Sequence, residues 1–177
     1  MAARQHSPLV HFLLPWLIGA GALVVYGLTL HRWVSFDSVG TVSKLAGWDW
    51  STMHLGSLVL LATWPIRWLP PAWQVTGANV LSAVLAAAVL TLLARCVVLL
   101  PHDRTRDQRQ RERSDFAFLS VPLAWVPPLG AAVMLAFQLT FWEHATAMTG
   151  EMVSLLVFAS CVYCFLRFRV MQEDRYL

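Results

Sequence analysis

This chain predicts an all-α, polytopic transmembrane fold, and three observations predict it. The residues are 58% hydrophobic and only 13% charged, with a mean hydropathy of +0.58. A soluble domain carries about twice that charged fraction. Long apolar stretches alternate with polar connections, and backbone that meets hydrocarbon must be helical to satisfy its own polar groups. Finally, the arginines are unevenly spread. Arg104, Arg106, Arg109, Arg111 and Arg113 crowd one loop, whereas Asp37, Asp49, Glu143 and Glu151 fall in other connections.

The first expected span is 9–30. At about 1.5 Å per residue it crosses a hydrocarbon core of about 30 Å. A cleaved signal peptide has a shorter apolar run, about 7–15 residues, so this helix is expected to be retained. Residues 31–53 carry Arg32, Asp37, Lys44 and Asp49 among Trp33, Trp48 and Trp50. Tryptophan favours the membrane–water interface, which lays this loop along the surface.

Segment 54–70 decides the topology. Its uninterrupted apolar part, 55–64, stops before Pro65 and Arg67, and so short a stretch suits an interfacial or re-entrant helix. Trp64, Trp68 and Trp73, with Pro70 and Pro71, read as an interfacial anchor. The second span, 75–100, is rich in alanine and other small residues that allow close helix packing. The arginine loop 101–115 follows. In the third span, 116–141, Pro122, Pro127 and Pro128 predict a broken or kinked first half. The fourth is 152–168, ending at Arg167 and Arg169.

Arginine beside a span marks the cytoplasmic side. If 54–70 spans and Arg4 is inside, the arginine loop is placed outside. If 54–70 lies in the interface, Arg4, the 101–115 loop and Arg167, Arg169 and Arg175 all face the cytoplasm. The second arrangement satisfies the rule at every connection. It gives a single transmembrane domain, 1–177, in the cell inner (plasma) membrane, with the N-terminus and the 101–115 loop cytoplasmic. The net charge of +3 then serves topology and contact with anionic membrane lipids. Nucleic acid is excluded as a partner, because the basic loop lacks interleaved aromatics and is diluted with acids. Cys96, Cys161 and Cys164 lie in apolar segments and read as packing residues without a redox role.

On this topology Asp37, Asp49, His54, Glu143, His144 and Glu151 share one outer face, and the first loop neighbours the turn at 141–151. That turn reads as a short helix followed by a glycine break, with His144 and Glu151 seven apart on one face. The pair could bind a metal or an anionic ligand's counter-cation, or hold a loop. Glu151 opens an apolar span, where ionisable residues are costly and tend to be functional. Asp37, just past the first span, suits a general base, and equally a helix N-cap. His54, beside the short apolar segment, has little functional weight by itself.

One set of residues carries a resemblance. An aspartate in the first outer loop (Asp37) is followed by a histidine (His54) leading into a short apolar segment. Then come an Asn-x-x-Ser-Ala run, Asn79-Val80-Leu81-Ser82-Ala83, and a Phe141-Trp142 pair ahead of Glu151. This arrangement resembles the N-terminal part of a bacterial family of multi-pass membrane proteins of uncharacterised function. That family is related to protein O-mannosyltransferases, within the GT-C glycosyltransferase superfamily. The likeness covers nearly the whole chain, and the Phe-Trp…Glu turn is its most specific part. It implies a GT-C-like fold, a polyprenyl-phosphate sugar donor, and a catalytic acid or base at Asp37, with His54 and Glu151 lining the same cavity. The family's His-Pro-Pro-Gly run reads His54-Leu55-Gly56 here, and the family is much longer, so this chain is expected to be its N-terminal portion and inactive alone.

The expected chemistry is transfer of a sugar from a polyprenyl-phosphate donor to an acceptor on the extracytoplasmic side. Asp37 is the expected base, and His54, Glu143, His144, Glu151, Arg32 and Arg67 are expected to contact substrate. Positive charge on the leaving phosphate would come from Arg32 or Arg67, or from a divalent metal. The alternative is a non-catalytic membrane scaffold or transporter subunit whose carboxylates anchor loops.

Overall fold

In a computed structural model of the chain, residues 12–47, 57–100 and 125–175 are described. Of these, 86% are helical and none lies in a strand. Among the described residues two helices are long and apolar enough to cross a membrane, Pro71–Leu99 and Glu151–Met171.

Helix α1, Leu14–Leu28, opens with Pro15, tolerated there because the first-turn N–H groups have no helical partner. Helix α2, Phe36–Leu45, is capped by Ser35, whose hydroxyl accepts from the Ser38 N–H while Ser38 reaches back to the Ser35 N–H. Asp37 in its first turn and Lys44 in its last complement the helix dipole. Gly47, at φ +74°, ends the segment in the left-handed conformation that glycine tolerates best.

The segment expected to be interfacial forms a short helix α3, Ser57–Thr63, running into a 3-10 turn, Trp64–Trp68. Together they rise roughly 20 Å, well short of a bilayer core. Pro70 and Pro71 then start α4, Pro71–Leu99. Helix α5 is Val126–Ala136, α6 is Leu139–Thr146 and α7 is Glu151–Arg175.

Helix α4 is the hub, with half of its apolar stretch buried against 11% for α7. Its buried residues are mostly small, including Ala78, Ser82, Ala83, Ala86, Ala87 and Ala94, so helices approach it closely from several sides. Helix α1 crosses it antiparallel, with Gly19 against Thr91 and Ala87 at one level and His31 bonded to Asn79 at the other. Helix α7 leaves from the Asn79 end and packs along α4. One core cluster unites Tyr26, Leu90, Phe141, Ala145 and Met152 with the alanines of α4. A second unites Leu45, Val59, Ile66, Ala78, Met148 and Val153, drawing five elements together around the fully buried Met148.

The sequence reading and the structure differ at several points. The apolar stretch expected as one span over 116–141 is interrupted at Phe137 and Gln138, between α5 and α6. Pro127 and Pro128 do not kink it, because they occupy the first turn of α5; Pro122 lies outside the described residues. Among the described residues, α1 and α5 are apolar but shorter than the two long helices. The helix that carries the stretch expected as a fourth span, 152–168, runs from Glu151 to Arg175.

Candidate functional site

The α1–α2 connection, α2, the 57–68 segment, the start of α4 and the α6–α7 connection meet at one end of the bundle. What joins them is a set of polar ties. Asn79 is buried in α4, and its Nδ2 donates to the His31 carbonyl at 2.7 Å while its Oδ1 accepts from the Met148 N–H at 2.9 Å. One side chain therefore binds the α1–α2 connection on one edge and the α6–α7 connection on the other. Ser82, one turn further on, donates to the His144 carbonyl at 2.6 Å. The His31 N–H reaches the Thr146 carbonyl at 3.4 Å, and the Thr41 hydroxyl donates to the Thr149 carbonyl at 3.2 Å.

These bonds have a common physical cause. Helix α6 is only eight residues long, so its last carbonyls have no partner further along it. Ser82 and His31 supply partners for His144 and Thr146. The chain then turns at Gly150, at φ +89°, and starts α7. The Ala136 carbonyl, left at the end of α5, accepts from the Tyr26 hydroxyl at 2.9 Å.

The expected site residues take these places. Asp37 is exposed on the first turn of α2; the N-cap is Ser35, so the capping role considered for Asp37 belongs to its neighbour. Arg32 is exposed in the α1–α2 connection. Glu143 is exposed on α6, and the half-buried His144 pairs through Nδ1 with the Thr149 hydroxyl at 2.8 Å. Glu151 is exposed at the first position of α7. His144 and Glu151 therefore do not share a helical face: α6 ends at Thr146, and a turn separates them. Arg67 is exposed on the 3-10 turn, its guanidinium over the Trp64 ring at 5.5 Å. His54 and Asp49 lie outside the described residues. Elements carrying six of the expected residues thus meet at one end, while no three His, Cys, Asp or Glu side chains among the described residues gather to hold a metal ion.

Sequence reasoning gave no role to Asn79, Ser82 or Thr41, the side chains that hold these loops. A signal existed for two of them, because Asn79 and Ser82 are polar residues inside an otherwise apolar span.

A cavity of about 300 Å³ lies to the side of this end, between α1 and α5, and reaches Tyr26 and Trp142. No family model, no curated protein and no solved structure matches the chain.

Proposed function

We propose that this is an inner-membrane protein with four alternating passes, whose joined-loop end is the extracytoplasmic reaction face of a GT-C-like glycosyltransferase. The observation that carries the reading is the Asn79 tie. It holds the loop before Asp37 and the turn before Glu151 to a single side chain, so two carboxylate-bearing segments far apart in sequence form one surface.

Several features support the membrane placement. The exposed Trp33, Trp64, Trp68 and Trp73 gather toward the joined-loop end, while Trp16, stacked under Arg95 at 5.0 Å, marks the opposite end. Trp73 and Arg95 lie about 33 Å apart along α4, close to the thickness of the hydrocarbon core. Aromatic belts at that separation suit the two interfaces of a bilayer. The short 57–68 segment supports keeping both arginine-rich ends on one side.

In the proposed step the acceptor hydroxyl gives its proton to the Asp37 carboxylate. Its oxygen bonds to the anomeric carbon of the donor sugar, and the polyprenyl phosphate departs with the electron pair of the broken C–O bond. Arg32 and Arg67 would neutralise the departing phosphate, while Glu143, His144 and Glu151 would contact sugar or acceptor.

The test uses the intact protein in proteoliposomes with a radiolabelled polyprenyl-phosphate sugar. Asp37→Asn should lower transfer by about 10²-fold or more with insertion unchanged. Full activity in that variant removes Asp37 from the mechanism.

One observation favours a second reading, a non-catalytic membrane scaffold. Asp37 sits in the first turn of a capped helix, where a carboxylate stabilises the dipole without doing chemistry. A protein that inserts and folds but transfers no label, with or without Asp37, would support the scaffold.

A further inference from the structure

We infer that Thr149 is a positioning residue. Its hydroxyl donates to Nδ1 of His144 and so holds the imidazole as a fixed Nε2–H donor for a sugar hydroxyl at the joined-loop end, the sugar resting on the transferase reading above. The two atoms lie 2.8 Å apart across the break between α6 and α7.

Among the described residues expected to contact substrate, His144 is the one held by hydrogen bonds at both its backbone and its side chain. Its carbonyl accepts from Ser82 at 2.6 Å, and its ring pairs with Thr149, whose own carbonyl accepts from Thr41 of α2 at 3.2 Å. The side chains of Arg32, Asp37, Glu143 and Glu151 belong to exposed residues and make no hydrogen bond or ion pair among the described residues. A side chain locked by a second hydrogen-bonded residue presents its free end at a defined place, and a solvated one does not.

Where the ring proton lies follows from these partners. The Thr149 hydroxyl has one proton and, among the described residues, no other hydrogen-bond partner. Donating it to Nδ1 satisfies both that proton and the ring's lone pair, and leaves the single N–H of the neutral ring on Nε2. The reverse arrangement, Nδ1–H to the hydroxyl oxygen, leaves the hydroxyl proton without a protein acceptor in a half-buried turn. A neutral ring held in the first way is a donor at its free nitrogen and cannot take a proton from substrate there.

The neighbours select the occupant. Glu143 immediately precedes His144, and Glu151 follows Thr149 by two residues, so two carboxylates flank the pair along the chain. Negative charge on both sides disfavours a phosphate. An uncharged hydroxyl fits, because it accepts from Nε2–H and donates its own proton to a carboxylate.

The test has a spectroscopic arm and a kinetic arm. The full chain, with isotope-labelled imidazole nitrogens, is reconstituted in nanodiscs and read by NMR in mildly alkaline buffer, where imidazole is neutral. The His144 signals are those lost in His144→Gln. The parent protein and Thr149→Ser should show the Nε2–H tautomer, and Thr149→Val should mix the two. An Nδ1–H tautomer in the parent protein, or a spectrum unmoved by Thr149→Val, overturns the assignment. In the transfer assay His144→Gln, whose amide nitrogen reaches the place of Nε2, should keep most of the rate. His144→Asn, whose amide nitrogen matches Nδ1, should lose about tenfold. Equal losses in both overturn the donor role. Inhibition by sugar-free polyprenyl phosphate should be unchanged in His144→Asn; weaker inhibition puts the imidazole on phosphate and overturns the sugar. A parent protein that transfers nothing would end the transferase reading and the sugar with it, while the spectra alone decide Thr149.

Discussion

Replacing Asn79 by leucine is the most informative perturbation of this fold. By composition it should be harmless, since leucine is the more apolar residue in an apolar span. The structure predicts the opposite. The substitution strips the Met148 N–H, buried with the rest of that residue, of its acceptor, and the His31 carbonyl of its donor. An average interhelical hydrogen bond in a membrane protein contributes about 0.6 kcal/mol, which for two bonds gives about 1 kcal/mol. Orphaning a buried donor adds about 1–3 kcal/mol, so the expected loss is about 3 kcal/mol. For a chain of this size that corresponds to roughly 6–12 °C in Tm. The assay is reversible denaturation of the purified protein in detergent, with Ser82→Ala as a calibrant. Ser82→Ala removes one bond, to the His144 carbonyl, and should lose about 1 kcal/mol. If Asn79→Leu falls within about 0.5 kcal/mol of the parent, inside the range of neutral surface changes, the tie does not hold the two loops and the site built on it fails.

Four further outcomes follow from local geometry. Gly19→Leu should destabilise by about 1–3 kcal/mol through overpacking, because a Cβ there overlaps the Thr91 hydroxyl and lies 3.4 Å from the Ala87 carbonyl. Gly27→Ala in the same helix, with open space around its Cβ, should instead stabilise by about 0.5–1 kcal/mol, and thermal denaturation compares the two. Gly150→Ala should lose about 1–2 kcal/mol from the left-handed backbone alone, at φ +89°, measured by the same denaturation. Ser35→Ala should lose about 1 kcal/mol locally, visible as faster hydrogen exchange at the Ser38 and Val39 amides with α4 unaffected.

The parts of the fold legible in the sequence are those set by composition over long windows. The helical class and the long helices of α4 and α7 follow from apolar length, and the shortness of 57–68 follows from Pro65, Pro70 and Pro71. The break between α5 and α6 was not legible. Phe137 and Gln138 carry no turn chemistry, and Pro127 and Pro128, which do carry it, lie harmlessly in the first turn of α5. The α2 cap was half legible: a cap was expected near Asp37, but the reciprocal Ser35–Ser38 pair outcompetes it by satisfying two N–H groups at once. Among the site residues, the carboxylates and arginines stood out because charge is rare in this chain. Asn79 and Ser82 were visible as polar residues in an apolar stretch, but their role was not, because their partners are backbone groups 48 to 69 residues away in sequence. Backbone partners leave no mark in a residue pattern.

The helix break and the joined loops are one construction rather than two features. A helix interrupted at Ala136 and again at Thr146 exposes carbonyls that hydrocarbon cannot solvate, and such breaks persist in membrane proteins only where other groups satisfy them. Here Tyr26 serves the Ala136 carbonyl from α1, Ser82 serves His144 from α4, and the His31 N–H serves Thr146 from the α1–α2 connection. Each partner belongs to a different element, so α6 is held in its broken geometry only when α1, α4 and the first connection are all in place. The same bonds fix where Glu143 and Glu151 emerge relative to Asp37. Placing acids at this end and interrupting the third apolar stretch are therefore consequences of a single set of hydrogen bonds. A variant that straightened the break would move the carboxylates with it.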